Sequence, residues 1–140
     1  MVARVTVTPA AAAMIAKLQA LHGALLFHQS GGCCDGSAPM CYPRDEFRVG
    51  AQDVLLGTIA GAPFYIGAAQ FEYWQHTQLI IDVVPGRGGG FSLEAPEGVR
   101  FLTRSRVFTD AEAAELHRDG PPPRGDISIG MRSETNGTAP

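Results

Sequence analysis

Three cysteines and one histidine fall within a short stretch of this sequence, the segment HQSGGCCDGSAPMC from His28 to Cys41. Thiolate sulfur and imidazole nitrogen are good ligands for zinc, iron and copper. Clustered thiols in a reducing compartment serve more often as ligands or reactive groups than as disulfides. The segment therefore predicts a metal-binding or thiol-reactive loop, and its glycines give the backbone the freedom to turn tightly.

The spacing of these residues suggests which of them share an ion. Cys33 and Cys34 are adjacent in the chain and their side chains should diverge, so we expect one of the pair to act with Cys41 and His28. The best distant candidate is His76, in the aromatic segment YWQHT. Three protein ligands would leave an open, reactive position on the ion, whereas four would make a structural site.

Two other interpretations of the cysteines stay open at this level. The spacing is not that of a zinc finger, which uses paired CxxC or HxxxH units. A thiolate activated by His28 or by loop amides could carry out thiol chemistry without a metal. Alternatively, the cysteines are small buried apolar residues of an interaction module. The ligand types do not separate zinc from iron or copper.

Composition limits the possible function classes. The chain has 140 residues, of which 45% are hydrophobic, which is ordinary for one folded domain. A net charge of −3 with scattered basic residues argues against a nucleic-acid partner. No apolar run is long enough to cross a membrane, and the N-terminal MVARVTV lacks the apolar core of a signal peptide. We therefore expect a cytoplasmic protein.

Hydrophobic periodicity outlines one strong helix and a series of short strands. Thr8 is a helix N-cap with Pro9 at the first helical position, and Gly23 is a C-terminal stop. The predicted strands cover residues 24–28, 53–59, 63–66, 78–84, 91–94 and 99–103, with short helices over 71–77 and 110–117. The strands at 53–59 and 63–66 are predicted to form a β-hairpin.

This pattern favours an α+β fold, with a mainly antiparallel sheet or sandwich and one packed N-terminal helix. Residues 1–119 are predicted to form a single globular domain, and residues 120–140, rich in Pro and Gly, a poorly packed C-terminal tail. Asp82 and Glu94 lie in or beside apolar strands, so we expect Arg100 and Arg104 to pair with them. Exposed sheet edges would be compatible with a homodimer.

Three strings, FHQSGGCCDGSAPMCYP, DVLLGTIAGAPFYI and LIIDVVPGRGGGFSLE, resemble the bacterial domain-of-unknown-function 779 family. Its members are small proteins of unknown function that are typically encoded beside NAD-dependent aldehyde dehydrogenases. The likeness runs from about Val5 to Leu116. The resemblance implies an NAD-dependent aldehyde dehydrogenase as a partner.

A more distant resemblance is to the A-type iron–sulfur carriers of the HesB-like fold. It comprises the TxxAA helix start at Thr8, the GGC loop at Cys33, and Asp82 followed by a Gly-rich turn and Phe91. The likeness implies a compact, mostly β domain with one packed helix. Those carriers hold an iron–sulfur cluster with the loop cysteine and a later CGC pair. This chain has no cysteine after Cys41, so only Cys33 carries over as a cluster ligand.

The features together predict a metal-binding accessory protein, associated with an aldehyde or alcohol dehydrogenase, that binds one transition-metal ion. The alternatives are a small thiol- or metal-dependent oxidoreductase that uses the same loop, and an interaction module with incidental cysteines. The sequence does not decide whether the protein is itself an enzyme. The candidate metal ligands are His28, Cys33, Cys34, Cys41 and His76.

Overall fold

The computed structural model describes residues 2–29, 37–86 and 92–125. They form an α+β fold, as predicted. Seven strands and three helices follow one another along the chain: β1 Val5–Val7, α1 Pro9–His22, β2 Leu25–Gln29, β3 Met40–Pro43, β4 Asp53–Ile59, β5 Ala62–Gly67, α2 Ala68–Trp74, β6 Thr77–Pro85, β7 Val99–Val107 and α3 Asp110–Asp119.

The strands form two mixed sheets. One sheet has the order β1-β6-β7, in which β1 runs parallel to β6 and β7 runs antiparallel to it. The other has the order β3-β2-β5-β4, with a parallel pairing of β2 and β5 at its centre. Antiparallel pairing joins β2 to β3 and β4 to β5. The resemblance of this fold to that of the HesB-like iron–sulfur carriers stays a prediction.

Helix α1 begins and ends where the sequence predicts. The Thr8 side chain accepts a hydrogen bond from the backbone N–H of Ala11, and Pro9 occupies the first turn. Gly23 ends the helix with a φ of 83°, a conformation that residues with a Cβ rarely adopt. The helix buries Ile15 and Leu18 in the core, so its role in the fold is structural.

The predicted hairpin is confirmed, with β4 and β5 joined through Ala60 and Gly61. Both turn residues have positive φ values, 48° and 84°. Such values suit the tight turns that follow the right-handed twist of paired strands. Gln19 of α1 donates a side-chain hydrogen bond to the carbonyl of Ala60 at 2.9 Å, which fixes the turn against the helix.

Side chains of both sheets meet in one hydrophobic core. Phe27 of β2 stacks on Phe64 of β5 and meets the ring of Phe101 of β7 edge-on, with centroids 5.0 Å apart. All three rings are fully buried. Contacts of this kind between sheets define a sandwich, and they fix which face of β2 points inward.

The prediction of a strand at residues 91–94 is wrong for residues 92–94, which are the part of this range that the structure describes. Ser92 to Glu94 form a buried turn instead, followed by a short 3₁₀ helix over Ala95–Glu97. The Ser92 hydroxyl donates to the Glu94 carboxylate and accepts from the backbone N–H of Cys41. The other Glu94 oxygen accepts from the N–H of Phe101. These bonds satisfy a buried carboxylate that a strand would leave unpaired.

Residues beyond α3 pack along the free edge of β4. The N–H of Leu55 donates to the carbonyl of Pro123, and the N–H of Gly125 donates to the carbonyl of Asp53. The boundary predicted at residues 119 and 120 stays a prediction, and residues 126–140 lie outside the described part. Across the described residues, no helix combines the length and the apolar character that crossing a membrane requires.

Candidate functional site

His28 lies near the end of β2, where the sequence predicts a strand that leads into the cysteine loop. Successive side chains of a strand point to opposite faces. Phe27 points into the core, so His28 points to the outer face of the four-stranded sheet. Its cross-strand neighbours are Met40 on one side and Tyr65 on the other. His28 is nonetheless only 8% exposed, so other groups must cover it.

The imidazole of His28 is paired with a carboxylate. Its Nε2 atom lies 2.7 Å from Oδ1 of Asp53, the first residue of β4. Asp53 is two register positions from Leu55, which pairs with Tyr65, so its side chain shares the outer face with His28. The second oxygen, Oδ2, accepts from the N–H of Gly50 at 2.8 Å. Both carboxylate oxygens are thus engaged, and the orientation of the imidazole is fixed.

Two aromatic rings complete the surroundings of this pair. The Phe47 ring lies 5.1 Å from the His28 ring, centroid to centroid, and Tyr42 lies 4.8 Å from Phe47. An apolar wall on one side of the imidazole limits water access and strengthens the hydrogen bond to the carboxylate. The arrangement presents one histidine, oriented by one carboxylate, beside the predicted loop.

Cys41 faces the other way. In the register of β2 and β3 it pairs with Phe27, so its side chain enters the core rather than the outer face. It is fully buried. Burial and, to a lesser extent, the charge of Glu94 raise the pKa of the Cys41 thiol well above its usual range. The structure therefore does not bring Cys41 and His28 together, and it keeps Cys41 as a neutral thiol.

Cys33 and Cys34 lie outside the described residues, which resume at Ser37. The two ends of the intervening segment are both fixed to one residue of β7. Thr103 donates its hydroxyl to Oε1 of Gln29 at 2.8 Å and its backbone N–H to the carbonyl of Ser37 at 2.8 Å. Thr103 and Gln29 are buried. The base of the cysteine loop is therefore anchored beside the strand that carries His28.

His76 occupies a different part of the molecule. It follows α2, is exposed, and lines a cavity with His117 of α3 rather than with His28. Within the three described ranges, no group of three or more His, Cys, Asp or Glu side chains is arranged to hold a metal ion. Any complete site at His28 would thus need ligands from outside the described residues, and Cys33 and Cys34 are among these.

Sequence reasoning missed Asp53 and Thr103. Asp53 stands directly before the apolar run VLLGTI, and a polar residue there indicates only the start of a strand. Its partner is 25 residues away, and only the β2-β5-β4 order brings the two together. The expected ion pair between Asp82 and Arg104 is confirmed at 3.0 Å.

The fold and site define an α+β sandwich with a histidine–carboxylate pair on the outer face of one sheet. A family model described as Domain of unknown function (DUF779) matches residues 14–107, about two thirds of the sequence. The chain belongs to this family. No curated protein matches it in a sequence search. The matched range contains His28, Asp53 and the three cysteines.

Proposed function

We propose that the protein binds one transition-metal ion through His28 and a thiolate of Cys33 or Cys34, with Asp53 orienting the histidine. The observation that supports this proposal is the 2.7 Å contact between His28 Nε2 and Asp53 Oδ1. Histidines that bind metals almost always donate their other ring N–H to a carboxylate, a carbonyl or water. His28 therefore has the properties of a metal-binding histidine, and Asp53 has those of the carboxylate that supports it.

The contact between His28 and Asp53 also determines which ring nitrogen of His28 would bind the metal ion. A carboxylate only accepts hydrogen bonds, so it favours the tautomer with the proton on Nε2. The lone pair then resides on Nδ1. Among the described residues, Asp53 is the sole hydrogen-bond partner of the His28 ring. Nδ1 is therefore the proposed metal-binding atom, and neutral imidazole is the form that binds metals.

The proposed ligand set is narrower than the one inferred from the sequence. Cys41 points into the core with its pKa raised, and metal binding needs a thiolate. His76 lines a separate cavity. Neither residue belongs to the proposed set, which leaves His28 with Cys33 or Cys34. The fold anchors the ends of their loop at Thr103, close to β2.

Elemental analysis of protein purified without an affinity tag, from cells grown with ample metals, tests the proposal. We expect about one zinc, iron or copper ion per chain, and loss of that ion in His28→Gln. His22→Gln is the matched control, because His22 is an exposed histidine in the last turn of α1. Substoichiometric metal in the wild-type protein, or equal metal in both variants, would contradict the proposal.

The same pair supports a second candidate function, a thiol-dependent oxidoreductase. A histidine held by a carboxylate can act as the general base that activates a neighbouring thiol. Here the nucleophile would be Cys33 or Cys34. Oxidation of small aldehydes by metal-free protein, with an added soluble two-electron acceptor to take the hydride from the aldehyde–thiol adduct, would favour this function if it is abolished in Cys33→Ser or Cys34→Ser. Turnover that needs the metal would instead indicate a metal-dependent oxidoreductase that uses the same loop, and no turnover at all would favour the binding function.

The proposed partner rests on the family resemblance alone. It implies an NAD-dependent aldehyde dehydrogenase, to which the protein would deliver a metal or bind directly, in the cytoplasm. Size-exclusion chromatography of the two purified proteins tests the contact, and the same run gives the oligomeric state of the chain. Separate elution of the two proteins, with and without metal, would contradict direct binding.

A further inference from the structure

The cavity that His76 and His117 line lies between the start of β1, α2, the end of β7 and α3. The cavity measures about 550 Å³, which is within the range of small-molecule sites. Its floor is apolar and consists of Phe71, Phe108 and Leu116, of which the last two are buried. Pro121 and Pro122 close one side.

Three basic side chains converge on this apolar floor. Arg4, His76 and His117 all line the cavity. Both histidines are exposed at the rim, and no described residue hydrogen-bonds either ring. A ligand in the cavity would therefore meet apolar surface below and nitrogen donors at the edge. This combination is typical of pockets that orient an amphipathic small molecule.

Of these three residues, Arg4 gives the strongest indication of which ligand the cavity would bind. Its guanidinium carbon lies 5.4 Å from the centroid of the Phe71 ring, a cation–π contact. Burial lowers the pKa of Arg4, and the charge of Asp119 offsets part of that effect. Across the described ranges the Arg4 guanidinium has no hydrogen-bond acceptor. The Asp119 carboxylate thus affects Arg4 through its charge and accepts no hydrogen bond from the guanidinium group.

Two arginines of β7, by contrast, have hydrogen-bond acceptors. Arg104 donates to Asp82 at 3.0 Å, and Arg106 makes two bonds of 2.8 Å to Glu112. A partly desolvated guanidinium without an acceptor is unfavourable unless a ligand supplies one. A carboxylate matches the fork of its donors and can accept two bonds at once.

We propose that this cavity binds a small organic carboxylate, with its apolar body on Phe71, Phe108 and Leu116 and its carboxylate on Arg4. His76 and His117 flank the carboxylate at the rim. The inference is independent of the proposed metal site, because the two share no residue. It gives His76 a role in ligand binding rather than in metal binding.

Calorimetric titration of the full chain tests this with two matched pairs of probes, phenylacetate against 2-phenylethanol and hexanoate against hexan-1-ol. At least one acid should bind about tenfold or more tightly than its alcohol, because the alcohol lacks the charge-assisted bonds to Arg4. Arg4→Gln should weaken binding of the acid by about tenfold or more and should abolish the preference over the alcohol. Arg48→Gln is the same change at an exposed position outside the cavity, and it should leave the affinity for the acid and the preference over the alcohol unchanged.

A second variant keeps the test decisive if Arg4→Gln impairs folding, which circular dichroism would reveal. Ala113 lines the cavity on an exposed face of α3, so Ala113→Phe fills the cavity and leaves Arg4 intact. Both acid and alcohol should then lose binding. The proposal is overturned if neither acid binds at millimolar concentration, if acid and alcohol bind equally, or if Ala113→Phe binds the acid as the wild type does.

Discussion

Oδ1 of Asp53 lies 2.7 Å from Nε2 of His28, although 25 residues separate the two along the chain. The carboxylate is itself fixed by the N–H of Gly50 at 2.8 Å. The histidine is therefore oriented before any ligand arrives, and reorganisation is avoided when a metal binds.

Replacing Asp53 with Asn should weaken metal binding without unfolding the protein. His28 and Gly50 contact different oxygens of Asp53, and in Asn one of these becomes an NH2 donor, so one of the two hydrogen bonds is lost together with the charge. Loss of a carboxylate that supports a ligating histidine typically lowers affinity by about 10- to 100-fold. Competition with a chromophoric chelator measures the change. Asp45→Asn, at an exposed carboxylate, is the control, and equal affinities in the two variants would contradict the role of Asp53.

Cys41 should resist thiol reagents in the native protein. It is fully buried, and its raised pKa keeps the reactive thiolate scarce. Cys41→Ala should retain the bound metal and should destabilise the protein by only about 1–2 kcal/mol, because the lost group is small and apolar. Mass spectrometry after iodoacetamide treatment, with and without denaturant, locates the modified residues. Rapid native labelling of Cys41, or loss of metal in Cys41→Ala, would return Cys41 to the ligand set.

Thr103→Val should destabilise the fold at the base of the cysteine loop. The substitution keeps the shape of the side chain but removes the buried hydroxyl that donates to Gln29 at 2.8 Å. Leaving such a buried acceptor with one bond fewer costs about 1–3 kcal/mol. Urea unfolding monitored by circular dichroism measures the change. The control is Thr58→Val at an exposed position of β4, which should shift stability by less than about 0.5 kcal/mol.

The ion pair of Asp82 should contribute stability that disappears in acid. Arg104, the N–H of Val83 and the Thr8 hydroxyl all lower the pKa of Asp82 from its ordinary 3.8. The folded protein therefore binds this proton less readily than the unfolded chain does. The contribution is present above pH 3.8 and is lost as the pH falls through the lowered value.

Asp82→Asn should thus lower the free energy of unfolding by about 1 kcal/mol at pH 7, since Arg104 is half-exposed. The difference from the wild type should shrink as the pH falls below the ordinary pKa of aspartate. Urea unfolding at a series of pH values measures it, with Asp45→Asn as the control. A difference that is constant or grows towards low pH would refute this linkage.

The sequence was sufficient for elements that depend on local chemistry. The Thr8 cap, the proline after it and Gly23 define α1 without reference to the rest of the fold. Strand β1 was not predicted, because three residues become a strand only by pairing with β6, far along the chain. Strand β3 was missed because Pro43 suggested a break, whereas proline is tolerated at the end of an edge strand.

The candidate site was predicted less completely than the fold. The position of His28 at the end of a strand, beside the loop, follows from local patterning. The separation of His28 from Cys41 depends on the register of β2 and β3, since a shift of one residue would place them on the same face. Asp53 reaches His28 only through the order of strands in the sheet, which no local signal specifies.

X-ray absorption spectroscopy of the metal-loaded protein tests the central claim most directly. For zinc, we expect sulfur neighbours at about 2.3 Å and nitrogen at about 2.0 Å from the ion, with outer-shell scattering from an imidazole ring. In His28→Gln reconstituted with excess metal, any ion that binds should show no imidazole scattering, and in Cys33→Ser with Cys34→Ser it should show no sulfur neighbour. A shell of oxygen atoms alone, or imidazole scattering that persists in His28→Gln, would contradict the proposed site.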